Sequence, residues 1–274
     1  MHHYKEKAVW PFYTNPSGLN EILYATCSAG LSNRIFTLAG CQRIAEVTRR
    51  NLALYWPVNG SDGVGCNFND LFKMDVHLIS EWDFYWMLDT AHSLKVYNPE
   101  QPIDVRDRET IVLIRSWGSP RFSGDDYGTA MGEIHSRIRK LVPTDALQKL
   151  IDSSVARVKP GSVGVHARSV NWHENKPTPF FCRIDHACAG RPIFLSTDSM
   201  DVTRDFVRRY GSRVTVQNKL AWGENGVDRS SKEGMFEALC DLYSLGACEE
   251  IIGTRGSSFT QLAGALGKIE PHVI

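Results

Sequence analysis

Short apolar runs that stop at small or polar turns, each followed by residues at helical spacing, recur along this 274-residue chain. That rhythm constrains the fold more than any other feature. Its clearest instance leaves a Pro160-Gly161 turn as Ser162-Val163-Gly164-Val165-His166-Ala167-Arg168. A valine-rich run entering from such a turn reads as a buried strand. It then spills His166, Arg168, Asn171, His173 and Glu174 into a loop. Open α/β sheets place ligands at the carboxyl ends of strands like this one. A surface salt bridge from Arg168 beside two incidental histidines is the plainer reading, since most arginines lie on protein surfaces.

The first half carries the same rhythm. Ile22 to Thr26 reads as a strand, and Cys27-Ser28-Ala29-Gly30-Leu31-Ser32-Asn33-Arg34 as a strand-to-helix turn. Ile35, Leu38, Ala39, Ile44 and Val47 continue it as a helix, and Leu52 to Trp56, stopped by Pro57, is the next strand. A unit of this kind makes its two strands parallel neighbours with a right-handed crossover. Small residues at Gly30 to Arg34 admit a ligand close to the backbone, and helix N-terminal amides favour an anion. Plain capping by Ser32 or Asn33 explains the same residues. Val76 to Ile79 and Thr110 to Ile114 are further strands, with an aromatic stretch of unreadable period, Glu81 to Val105, between them. Trp117 to Tyr127 reads as a loop in which Asp125 and Asp126 either line a site or, as exposed carboxylates more often do, form a solvated acidic turn. Helices over Met131–Leu141 and Thr144–Val158, the second begun by Pro143, bridge to the second half.

There the strand Arg191 to Ser196 ends in Thr197 and Asp198, and a helix over Asp201–Tyr210 stops at Gly211. A strand follows at Arg213–Val216. Ser230 with Glu233 three residues on has the pattern of a capping box. The last expected strand, Glu250–Gly253, runs through Thr254–Phe259 into a small-residue helix, another junction shaped to receive an anion. The expected domains are 1–158 and 159–274.

Composition narrows the function. Lys plus Arg and Asp plus Glu both total 31, so no global field draws the chain to nucleic acid or an anionic membrane. No apolar run reaches the roughly 20 residues a membrane span needs, and the polar start has no signal-peptide core. The 7 cysteines form no Cys-x-x-Cys pair, and the spacing of Cys182, His186 and Cys188 does not suit a metal site. Buried thiols in a reducing compartment are expected, hence a soluble cytoplasmic protein.

Five segments, in this order, resemble the fucosyltransferase-like superfamily, which includes nodulation-factor and core α-1,6-fucosyltransferases and, more distantly, protein O-fucosyltransferases. They are Gly30-Leu31-Ser32-Asn33-Arg34, Val163 to Arg168, Phe194-Leu195-Ser196-Thr197-Asp198, Ala238 to Leu245, and Ile252 to Phe259. The resemblance covers about Gly30 to Gly267. It implies an α/β, GT-B-like fold of two Rossmann-like domains facing a cleft, with a nucleotide-sugar donor held mainly by the second. His166-Ala167-Arg168-Ser169 stands at the family's His-x-Arg-Arg segment, so Arg168 matches the arginine that contacts the donor diphosphate. Ser169 replaces the second arginine and Asn171 the following aspartate, and both changes remove charge near the donor. By the same carry-over Thr197 and Asp198 lie near the nucleoside, with Asp198 accepting from a guanine edge. Asp241 faces the donor pocket, Ser257 and Ser258 cradle phosphate, and Gly30, Asn33 and Arg34 approach from the first domain.

Sugar transfer requires stabilising a departing diphosphate, by a divalent metal or by arginine and helix dipoles. No Asp-x-Asp ends a strand here, which leaves Arg168, whose planar fork suits phosphate oxygens. Glu174, beside His173, is the candidate base for the acceptor hydroxyl; a solvated loop carboxylate, with an oxocarbenium-like displacement that depends little on a base, is the alternative. His166, Arg168 and Glu174 are thus the expected catalytic set. The expected activity is metal-independent, inverting and cofactor-free: transfer of fucose from GDP-fucose to a glycan or another hydroxyl, lipid- or protein-linked. Another GDP- or UDP-sugar as donor, or a non-catalytic nucleotide-sugar-binding domain, are the alternatives.

Overall fold

A computed structural model describes residues 22–58, 64–90, 94–98, 101–104, 111–116, 118–168, 177–223 and 226–273. In the first half, β1 (Ile22–Cys27), β2 (Asn51–Tyr55), β3 (His77–Ile79), β4 (Leu94–Tyr97) and β5 (Ile111–Ser116) form one parallel sheet. Its order is β3-β2-β1-β5-β4. The central strand is buried on both faces, as parallel sheets require: Leu23, Ala25 and Cys27 face one core, Ile22 and Tyr24 another.

Helix α1 (Leu31–Thr48) crosses from β1 to β2 and is buried nearly all round, which marks it as an interior helix. Its N-cap is Gly30, without a side-chain bond. Ser32 and Asn33 therefore lie in its first turn and do not cap it. The turn into α1 passes through Ala29 in the left-handed region at φ 64°.

Helix α2 (Phe68–Leu71) is short, and α3 (Glu81–Thr90) occupies much of the stretch whose period could not be read. Phe84 and Met87 of α3 are buried while Trp82, Tyr85 and Trp86 are exposed. Aromatic residues on both faces erase the alternation that periodicity depends on. Helices α4 (Tyr127–Ile138) and α5 (Asp145–Val155) follow. Asp126 caps α4 by accepting from Thr129 N at 2.9 Å. Asp125 is not the solvated turn residue expected: it holds Arg43 of α1 with both oxygens, at 2.7 and 3.0 Å.

The second half contains β6 (Val163–Ala167), α6 (Pro177–Cys188), β7 (Ile193–Thr197), α7 (Met200–Tyr210) and β8 (Val214–Val216). A two-strand hairpin, β9 (Trp222–Gly223) and β10 (Gly226–Val227), precedes α8 (Lys232–Gly246), β11 (Glu250–Gly253), α9 (Ser258–Gly267) and β12 (His272–Val273). The sheet is again parallel, in the order β12-β11-β6-β7-β8. So β12, not β11, is its final strand. Helix α8 is capped one residue later than expected: Ser231 accepts from Gly234 N at 3.1 Å. Ser230 instead bonds Asp228 through its amide and hydroxyl.

One continuous core joins the halves. Leu23 and Leu54 of the first sheet, Ile35 and Leu38 of α1, Leu239 and Leu242 of α8, and Leu262 of α9 belong to it. Separate clusters fill the outer face of each sheet. Helix α5 packs on α8. Helices α1, α8 and α9 thus lie between two sheets whose strand carboxyl ends meet at a common cleft. Among the described residues no helix is long and apolar enough to cross a membrane.

Candidate active site

In the second sheet β6 has β7 on one side and β11 on the other, so the connections diverge from it. Open α/β sheets bind ligands at such a switch point. Arg168 leaves the end of β6, and its amide donates to Thr254 Oγ1 at 3.5 Å, just past β11. Helix α9 starts four residues on, its N-cap Ser257 accepting from Thr260 N at 3.4 Å. A Cβ at Gly253 would run into the Thr260 side chain, so only glycine lets α9 sit this close to the strand end. The cleft formed there measures about 320 Å³. Its far wall is the β1–α1 turn, with Ala29, Gly30, Ser32 and Asn33.

His166 closes the floor. It is buried, with Nδ1 2.8 Å from Thr260 Oγ1 and 3.4 Å from Ser257 Oγ. Its ring stacks on Phe259 at 4.8 Å between centroids. Burial pushes its pKa down to about 4, with Lys219, Arg168 and Arg229 adding to the effect and Asp198 opposing it. The imidazole is therefore neutral near pH 7, with little capacity to take up a proton there. This geometry suits a positioning role for the His166 of the expected catalytic set.

The charges are unequally placed. Arg168 is exposed on the cleft rim. Asp198, at the end of β7, is ion-paired with Arg229 Nη2 at 2.7 Å. Asp241, on α8 and 2% exposed, accepts from Ser196 Oγ at 2.7 Å and pairs with Lys219 Nζ at 2.8 Å. Lys219 also donates to the Thr197 carbonyl. The second oxygen of Asp241, Oδ1, is buried and has no hydrogen-bond partner among the described residues. A buried carboxylate oxygen left unpaired is costly.

Nine of the residues singled out from sequence share this cleft: Gly30, Asn33, His166, Arg168, Thr197, Asp198, Asp241, Ser257 and Ser258. Arg34 is not on its wall. It is fully buried beneath the β1–α1 turn, donating from Nε to Ala29 O at 2.8 Å and from Nη1 to Pro57 O at 2.5 Å. Its guanidinium also lies 5.2 Å from the Trp56 ring. Asn171 and Glu174, with Ser169 and His173, lie outside the described residues. Sequence reading missed Lys219, Arg229, Ser196, Val227, Met235 and Phe259, all on the cleft. Ser196 and Phe259 adjoin residues it did select. Lys219 and Arg229 sit between β8 and α8, where no period or motif draws attention to a cation. Among the described residues no group of three His, Cys, Asp or Glu could hold a metal ion.

Fold and cleft together define an α/β protein of two Rossmann-like halves with a ligand site between them. No family model matches the chain, and no curated protein matches it in sequence. Solved structures do match. NodZ α-1,6-fucosyltransferase from Bradyrhizobium, in a crystal soaked with GDP-fucose, aligns with a TM-score of 0.60 over 90% of this chain and 92% of that one, at 18% identity. A mutant of Arabidopsis thaliana FUT1 in complex with GDP gives 0.59 over 92% and 69%, at 13% identity. POFUT1 in complex with GDP gives 0.57 over 93% and 99%, at 11% identity. At these identities the likeness shows the fold alone: the chain has the two-lobed α/β fold of the fucosyltransferases.

Proposed function

We propose that the protein is an inverting glycosyltransferase that moves a sugar from a GDP-linked donor, L-fucose by resemblance, to a hydroxyl on a glycan, lipid or protein. In this reading residues 159–274 hold the donor and residues 1–158 present the acceptor. All seven cysteines are free, six of them buried, which fits the cytoplasm.

The observation that carries the proposal is Arg168 on the rim of a cleft floored by the start of α9, at the sheet's switch point. As the glycosidic bond breaks, negative charge grows on the diphosphate. A guanidinium and the amides of a helix N-terminus are preorganised to receive it, so the transfer needs no metal. Glu174, six residues beyond Arg168, takes the acceptor proton in this reading. Phe259, backed by the buried His166 ring, offers a flat face to the nucleoside.

GDP is favoured over UDP by Asp241. Its unpartnered Oδ1 asks for N–H donors, and the guanine edge offers two adjacent ones where uracil offers a single N–H between carbonyls. Asp198, tied to Arg229, is less suited to the guanine contact assigned to it from sequence. A thermal-shift series with GDP, UDP and their sugars tests the reading, since ligands of the folded state raise its melting temperature by mass action. GDP and GDP-fucose should stabilise the protein more than the uridine compounds. Binding of GDP without turnover of any donor, against an acceptor panel, would instead establish a non-catalytic binding domain.

A further inference from the structure

We propose that Arg229 is the second guanidinium of the diphosphate site, closing with Arg168 on the two phosphates of the donor. The inference rests on reading the cleft as a donor site and assigns a residue that the sequence motifs do not contain.

The first support is placement. Hairpin β9–β10 carries the chain to the end of β7, and Gly226, at φ 112°, makes the approach possible: a Cβ there would strike the Asp198 carbonyl oxygen. At the other end of the segment, a Cβ on Gly234 would strike the Asp228 carbonyl. Ser231 Oγ donates to that same carbonyl at 3.2 Å. Residues 226–234 are therefore held by backbone packing at both ends, and Val227 and Arg229 are delivered to the cleft wall.

The second support is charge. A nucleoside diphosphate-sugar brings two negative charges and gains a third as its bond breaks. Lys219 is buried and committed to Asp241. Arg168 is one cation, and a helix N-terminus adds about half a charge. Arg229 is half-exposed and its recorded ion pair uses Nη2 alone, whereas a guanidinium has five N–H donors. Asp198 steadies the group through Nη2, and Nη1 and Nε carry the remaining N–H donors. Arg168 and Arg229 both line the same cleft.

The test is the affinity increment of the outer phosphate: Kd for GMP divided by Kd for GDP, by calorimetry, in wild type, R229A and R229K. A merely structural role would weaken GMP and GDP alike and leave the ratio unchanged. The inference expects the R229A ratio to fall about tenfold, the scale of one charged hydrogen bond. R229K keeps a cation on Asp198 and so guards against misfolding; it should lose a smaller part of the ratio, because a point charge replaces the fork. A wild-type preference for GDP with an unchanged ratio in both variants would overturn the inference while leaving the donor site standing. Wild type binding GDP no better than GMP would overturn it too. Wild type binding neither nucleotide would end both readings.

Discussion

Lys219 Nζ lies 2.8 Å from Asp241 Oδ2 beneath the cleft, with the two side chains only 9% and 2% exposed. This pair sets opposite charges side by side in a nearly water-free place. It leaves Asp241 Oδ1 buried and without a hydrogen-bond partner among the described residues. Breaking such a pair strands the partner's charge. Lys219→Met should destabilise the fold by about 3 kcal/mol or more, measured by urea unfolding. A loss under about 1 kcal/mol would mean the pair is solvated.

His166 makes stability depend on pH. Its folded pKa is about 4, against about 6.5 in an unfolded chain. Between those values the unfolded state binds more protons, so stability rises with pH through that window. The contribution is complete above pH 6.5 and lost as pH falls toward 4, in total roughly 3 kcal/mol. Denaturant titrations at pH 7 and pH 4 should show a smaller acid loss in His166→Gln, which cannot titrate. Equal losses in the two proteins would place the imidazole in solvent.

In the proposed mechanism Arg168 separates chemistry from folding. It is exposed, so Arg168→Ala should leave the melting temperature nearly unchanged. Donor turnover should fall about 100-fold or more, the scale seen when one transition-state donor is removed. Progress curves of GDP release would check this, and full activity in the variant would remove Arg168 from the mechanism.

Arg34 should affect binding without touching a ligand. It holds the Ala29 and Pro57 carbonyls, so Arg34→Met should cost about 2 kcal/mol or more through unsatisfied buried groups. It should also weaken GDP binding by loosening the Gly30 wall. Ala29→Gly relieves a left-handed alanine and should be neutral or stabilising by up to about 1 kcal/mol. Destabilisation by Ala29→Gly would contradict this account of the turn.

Much of the frame is legible in the residue order. Ile22–Cys27, Val163–Ala167 and Ile193–Thr197 stand where apolar runs end in turns, because strands buried on both faces must be apolar throughout. Helix α3 was not legible, since its aromatic side chains serve both the core and the surface. Helix α6 was missed where Pro177 and Pro179 interrupt the expected pattern. At α8, Ser230 and Ser231 are equally good caps by composition; the Asp228 turn that engages Ser230 decides between them.

The sequence by itself determined the alternation of strand and helix, and with it the strand ends at Gly30, Arg168, Thr197 and Ser257 where a ligand can sit. Local propensity and burial are properties of neighbours along the chain, so these survive without coordinates. Only the tertiary structure decided which charges face one another. It placed Arg229 against Asp198 and Lys219 against Asp241, and put Arg34 under the cleft wall. Those pairings join residues 22 to 31 positions apart, or set a side chain's direction. They depend on how helices and hairpins pack, which no local pattern encodes.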